Sequence, residues 1–78
     1  MEVEIRTIDK LIAKEQVKSV KLPGKLSSFT VLYNHAPIIS TLNKGKIILK
    51  LKDDSIKEFD IDGGIVEVKK NKISVILT

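Results

Sequence analysis

Lys46-Ile47-Ile48-Leu49-Lys50-Leu51-Lys52, then Asp53-Asp54-Ser55, then Ile56-Lys57-Glu58-Phe59-Asp60-Ile61, is the stretch whose reading decides the fold. Its first segment puts Ile47, Leu49 and Leu51 on one side of an extended chain and Lys46, Ile48 and Lys50 on the other. That period of two belongs to a half-buried β-strand and does not suit a helix. Asp53-Asp54-Ser55 is turn chemistry, because a short carboxylate side chain bonds its own backbone. The segment after it therefore returns as the second arm of a hairpin.

The same alternation continues in both directions. Toward the N-terminus, Ile38 to Leu42 is a strand, and Asn43-Lys44-Gly45 is a turn with the glycine expected at positive φ. Phe29 to Tyr33 is another strand, ending in the corner Asn34-His35-Ala36-Pro37, and Lys25 to Ser28 is a short loop. Leu11 to Leu22 is a longer strand closed by Pro23-Gly24, since proline cannot donate to a ladder. Its apolar points are Leu11, Ile12, Val17, Val20 and Leu22, and the step slips between Val17 and Val20, the mark of a β-bulge. Val3, Ile5 and Thr7 alternate with Glu2, Glu4 and Arg6 before the turn Ile8-Asp9-Lys10. Toward the C-terminus, Asp62-Gly63-Gly64 turns into a strand from Ile65 to Lys69. Lys70-Asn71-Lys72 turns again, and Ile73, Val75 and Leu77 line the last strand. The spacing predicts one all-β domain over residues 1–78, a small flattened antiparallel β-sandwich or barrel of about eight to ten short strands.

Size and composition narrow the function. A domain of 78 residues buries only about 60 to 65% of its unfolded surface, so added stabilisation from a partner is valuable. There is no cysteine, which excludes disulfides and thiolate metal sites, and one histidine argues against structural zinc. The net charge is +4, carried by thirteen lysines and a single arginine. Those lysines alternate with apolar residues along strands, and only Phe29, Phe59 and Tyr33 are aromatic. A small lysine-rich β-barrel that binds nucleic acid or another anionic polymer is the alternative reading, but the chain lacks the arginines and interleaved rings such readers use. No apolar run approaches the roughly 20 residues of a membrane helix. The segment Met1-Glu2-Val3-Glu4 has neither the basic nor the apolar region of a signal peptide. The expectation is a cytoplasmic protein that meets a membrane only through another protein.

The alternation leaves apolar residues on the wrong side. If Ile47, Leu49 and Leu51 face the core, Ile48 faces out; by the same logic Ile65 and Ile76 face out, as does one of Ile38 and Ile39. Outward isoleucines on four strands suggest one contiguous patch, which marks an interface. Candidate chemistry is sparse by comparison. Gly63-Gly64 is a turn and not a phosphate loop. Asp53-Asp54 and Asp60/Asp62 sit at hairpin turns. His35 is the only residue with a catalytic profile. Serines 27, 28 and 40 lie near it in sequence without a nucleophile-elbow motif, and a histidine at a strand corner fixes its turn through backbone hydrogen bonds. No catalytic, cofactor or metal site is expected.

Taken together, Thr7-Ile8-Asp9, Leu22-Pro23-Gly24, Phe29, Val31-Leu32, His35-Ala36-Pro37-Ile38, Gly45, Gly63-Gly64-Ile65-Val66-Glu67-Val68 and Ile73-Ser74-Val75-Ile76 run in order along nearly the whole chain. This series resembles the N-terminal β-sandwich domain of the epsilon subunit of the F-type ATP synthase. Ser27 and Thr30 depart from it where that family usually has glycine, and Tyr33 where it often has proline. The resemblance implies a non-catalytic central-stalk subunit that couples the gamma subunit to the membrane-embedded c ring during proton-driven ATP synthesis. By position it implies c-ring contact at Lys25, Leu26, Ser27 and Ser28, and gamma contact at His35, Ala36, Ile38 and Ser40. It also implies peripheral attachment at the cytoplasmic face of a cell membrane. Many members of that family continue into a C-terminal helical hairpin that brakes ATP hydrolysis and in some cases binds ATP; within residues 1–78 neither a helical brake nor an ATP site is expected.

Overall fold

The computed structural model describes residues 1–78. It contains β1 (Glu2–Arg6), β2 (Leu11–Pro23), β3 (Ser28–Val31), β4 (Ile38–Leu42), β5 (Gly45–Leu51), β6 (Ile56–Ile61), β7 (Gly64–Lys69) and β8 (Lys72–Leu77). The strands hydrogen-bond in the order β4-β7-β8-β1-β2-β5-β6, with β3 added to the side of β2. All-β architecture and the position of every predicted strand agree with the alternation in the sequence.

β2 is the hinge of the design. Its first half pairs with β1, from Gln16 opposite Glu2 to Leu11 opposite Arg6. Its second half pairs with β3 on one side and β5 on the other. One strand thus belongs to two layers, the first made of β4, β7, β8, β1 and the start of β2, the second of β3, the rest of β2, β5 and β6. Two irregularities let it turn between them. Val17 opposes Leu51 and Ser19 opposes Lys50, which leaves Lys18 unmatched where the apolar step slips. Ile5 opposes Ala13 and Arg6 opposes Leu11, which leaves Ile12 unmatched as well. A bulge bends a strand and increases its twist, and two of them fold one long strand over a core.

The core is the product of the alternation. Val3, Ile5, Leu42, Val66, Val68, Ile73 and Val75 from the first layer meet Val17, Val20, Leu22, Val31, Ile47, Leu49 and Ile61 from the second. Each such side chain contributes about 1.5–3 kcal/mol by leaving water. Phe29, Phe59, Leu51, Leu77 and Ile38 pack around this cluster. No buried side-chain nitrogen or oxygen lacks a partner.

Two expectations need correction. The ladder is antiparallel except for β1 and β8, which run parallel from Glu2 opposite Lys72 to Arg6 opposite Ile76. A parallel neighbour needs a long crossover, and the whole intervening chain supplies it. Gly45 does not have positive φ; the positive-φ positions are Asn34, Asp54, Lys70, Asn71 and Gly63. Gly45 is needed for room, because a Cβ there would come 2.9 Å from Cβ of Pro23.

Candidate docking surface

The register fixes which side chains share the outer face of the first layer. Across β4, β7, β8 and β1, one row reads Thr41, Ile65, Ile76 and Arg6. The next reads Ile39, Glu67, Ser74 and Glu4. Ile65 and Ile76 are directly opposed, and Ile39 lies diagonal to Ile65, within reach for long side chains. Ile39 is 72% exposed, Ile65 53% and Ile76 52%. Leu11, opposite Arg6, extends the row and is also exposed. An apolar patch of Ile39, Ile65 and Ile76 therefore lies on β4, β7 and β8, bordered by the Arg6–Glu4 pair at 3.2 Å.

The outer face of the second layer is different. Lys46 lies 3.5 Å from both Glu58 and Asp60. Asp54 is 2.7 Å from Lys18 and 3.9 Å from Lys50. Lys57 pairs with Glu15 across the two layers, since these stand opposite the inward Leu49 and Val3. The field of Asp60 and the bond to Glu58 raise the pKa of Lys46. The bond and charge of Lys18 lower that of Asp54, and hydrogen bonds from Ser55 lower that of Asp53. Ile48 does face outward here but is half-buried. Its cross-strand neighbours are Lys21 and Glu58, whose long stems cover it. The four-strand patch suggested by alternation is thus a three-strand patch on the other layer.

His35 sits in the corner between β3 and β4. Its backbone N–H donates to the carbonyl of Leu32 at 3.1 Å, and Nδ1 donates to the carbonyl of Ala36 at 2.7 Å. No carboxylate or hydroxyl contacts it, so the ring fixes a turn. The corner is held to the β7–β8 hairpin by two reciprocal bonds. The Asn34 N–H donates to Oδ1 of Asn71 at 2.6 Å, and Nδ2 of Asn71 donates to Oδ1 of Asn34 at 3.1 Å. Both residues have left-handed backbones, φ 63° and 61°, which asparagine tolerates well. This clamp was not legible, because its halves lie 37 residues apart.

The loop Lys25 to Ser28 is anchored by Asn43, whose Nδ2 donates to the Lys25 carbonyl at 3.1 Å. Leu26 at its tip is 98% exposed. Lys25, Leu26 and Ser27 line one open recess together with Ile38 through Thr41, so the two groups of candidate contact residues meet along the edge strand β4. Ser28 begins β3. Ala36 is exposed. Ile38 and Ser40 stand opposite Val68 and Val66 on the inward side and are half-buried, and Ile39 and Thr41 are the outward members. Which isoleucine of the doublet leaves the core is set by pairing with β7, a fact outside the doublet itself.

No group of three or more histidine, cysteine or acidic side chains is placed to hold a metal. Phe29 and Phe59 pack on the core and Tyr33 is exposed alone, so the aromatic residues form no stacking row.

These features define a class: a small β-sandwich that carries exposed isoleucines on the outer face of one layer and an ion-paired outer face on the other. The sequence profile described as the ATP synthase delta/epsilon chain β-sandwich domain matches residues 1–78, and the chain belongs to that family. The ATP synthase epsilon chain of Chlorobaculum tepidum is 41% identical over 76 residues, covering 97% of this chain and 85% of the relative. That of Leptospira borgpetersenii is 33% identical over 76 residues, covering 97% of this chain. The chain spans only 59% of the length of the Leptospira relative. Among solved structures, a chain of the Euglena gracilis mitochondrial ATP synthase superposes with a TM-score of 0.89 at 17% identity, over 96% of this chain and 48% of its own. A chain from the central stalk and c-ring of the Tetrahymena thermophila enzyme gives 0.80 at 21% identity, over 100% of this chain and 63% of its own. At those identities the likeness is one of fold.

Proposed function

We propose that this chain is the β-sandwich part of an epsilon subunit and works as a non-catalytic coupling piece of the central stalk of a proton-translocating F-type ATP synthase. Its action is mechanical: it passes torque by surface complementarity and makes or breaks no covalent bond. The observation that carries the reading is the apolar patch Ile39, Ile65 and Ile76 on one outer face of a member of this family. Exposed isoleucines clustered on neighbouring strands of a small sandwich form a surface suited to being covered. In this reading the patch and the neighbouring His35 corner lie against the gamma subunit. The loop Lys25 to Ser28, with exposed Leu26, meets the c ring. Attachment to the membrane, at its cytoplasmic face, is through the complex alone.

The test is co-purification of the tagged chain with its cognate gamma subunit at moderate salt. A stoichiometric complex that Ile39→Asp disrupts is the expected result. A folded chain that does not associate with gamma, alone or together with the ring, overturns the reading.

A further inference from the structure

At the end of the apolar face away from the Thr7–Lys10 turn, three lysines gather without acidic partners. Lys69 on β7 and Lys72 on β8 are directly opposed across the ladder, and Lys70 stands in the turn between them. The three lysines share one open recess, lined otherwise only by Glu67 and Ser74. None of the three takes part in an ion pair. Glu2, across the parallel pairing from Lys72, is engaged by Lys14 at 3.9 Å. Against one carboxylate, Glu67, the recess carries a net charge of +2.

Like charges opposed on neighbouring strands work against the sheet, and Lys70 also adopts φ 50°, a left-handed conformation that lysine does not favour. Lys14, Lys18, Lys46, Lys50 and Lys57 meet carboxylates, and among the lysines that do not, only Lys69, Lys70 and Lys72 share one recess. The unpaired cluster is also held in place, since Asn71, between Lys70 and Lys72, is the residue clamped to Asn34. A positioned, uncompensated positive tip is complementary to negative charge supplied from outside.

Its place on the sheet says what kind of partner supplies it. Lys69 and Lys72 project from the same outer face as Ile65 and Ile76, four residues along each strand, or about 13 Å. We propose that the lysine tip and the apolar patch are two parts of one protein interface. The partner surface is an apolar area with a cluster of carboxylates about 13 Å from its centre, and the charges steer the approach while the isoleucines hold the complex. This inference rests on the proposed docking of the apolar face to the gamma subunit and names the chemistry that subunit must present. A charged rim changes the rate of association and its salt dependence, whereas apolar contacts set the rate of dissociation.

The experiment is stopped-flow association of the chain with its cognate gamma subunit from 25 to about 500 mM NaCl, a range over which surface charges become screened. Wild type is compared with the triple variant Lys69→Ser, Lys70→Ser, Lys72→Ser and with Ile65→Thr. The triple variant is expected to associate about tenfold more slowly at low salt, with a flattened salt dependence and an unchanged dissociation rate. Ile65→Thr is expected to raise the dissociation rate and keep the wild-type salt dependence. Lys70→Asn relieves the turn strain and keeps two lysines, so an intermediate association rate is expected from a variant that folds at least as well. If wild type binds gamma and the triple variant keeps its association rate and salt slope, the inference falls while the docking reading stands. If wild type does not bind gamma at all, both fall. A salt-sensitive shift of a single-stranded oligonucleotide that depends on the three lysines, with gamma association unaffected, assigns the tip to nucleic acid and overturns the inference.

Discussion

Replacing Ile65 and Ile76 together by threonine tests the apolar face directly. Threonine is β-branched and keeps the strand preference of isoleucine, so the change acts on the surface and not on the fold. In the free chain these side chains retain 53% and 52% of their exposure. Covering both completely removes about one isoleucine's worth of apolar surface from water, or about 1.5–3 kcal/mol. At 1.4 kcal/mol per factor of ten, loss of that term weakens binding about 10- to 150-fold. Isothermal titration against the gamma subunit measures it. Ile56→Thr supplies the control: Ile56 is 54% exposed but sits opposite Lys50 on the outer face of the second layer. Its replacement is expected to change the dissociation constant less than about twofold. Circular dichroism and a urea melt of each variant establish that the sandwich is intact. If the Ile56 variant weakens binding as much as the double variant, or if a folded double variant binds like wild type, the assignment of the interface to the first layer is wrong.

The core and the clamp give further expectations. Ile73→Ala, at a fully buried core site, is expected to cost about 2–5 kcal/mol in urea unfolding, enough to unfold much of so small a domain. Asn71→Ala removes both bonds to Asn34 and puts alanine at φ 61°, while Asn71→Gly removes the bonds and keeps the backbone comfortable. The alanine variant is therefore expected to be the less stable, by about 1 kcal/mol, and both are expected to lose amide protection around His35 in hydrogen exchange. Asp53 and Asp54 have folded pKa values below the ordinary 3.8. Their contribution is therefore present above about pH 4 and is lost as pH falls through the lowered values. Urea midpoints between pH 2 and 7 are expected to show that loss, and Asp54→Asn to reduce it.

Legibility in the sequence followed the reach of each signal. Alternation is local, so Ile47-Leu49-Leu51 and Ile73-Val75-Leu77 announced their strands without help. The slip from Val17 to Val20 announced the bulge at Lys18. Pairing is not local. Nothing in Glu2–Arg6 indicates that its neighbour is β8, or that the two run parallel. The Ile38-Ile39 doublet shows that one member must leave the core, but only pairing with β7 selects Ile39. Ile48 points outward as its position requires, yet its exposure depends on Lys21 and Glu58, which come from two other strands. The lysines at 69, 70 and 72 lie within four consecutive positions, but that Lys69 and Lys72 oppose each other on the outer face appears only with the pairing of β7 and β8.

The parallel seam between β1 and β8 has a consequence for the order in which the domain forms. The first and last strands of this domain are neighbours, so during synthesis β1 waits with one edge open until Lys72–Leu77 has left the ribosome. At about 5–20 residues per second, that wait is some seconds. In that interval Val3 and Ile5, fully buried in the finished domain, lack the partners Ile73 and Val75 that stand opposite them. Sequence-distant pairings of this kind also slow folding to milliseconds or longer. The acidic residues Glu2 and Glu4 along β1 then serve a second purpose, since charge on an open edge discourages it from joining another chain.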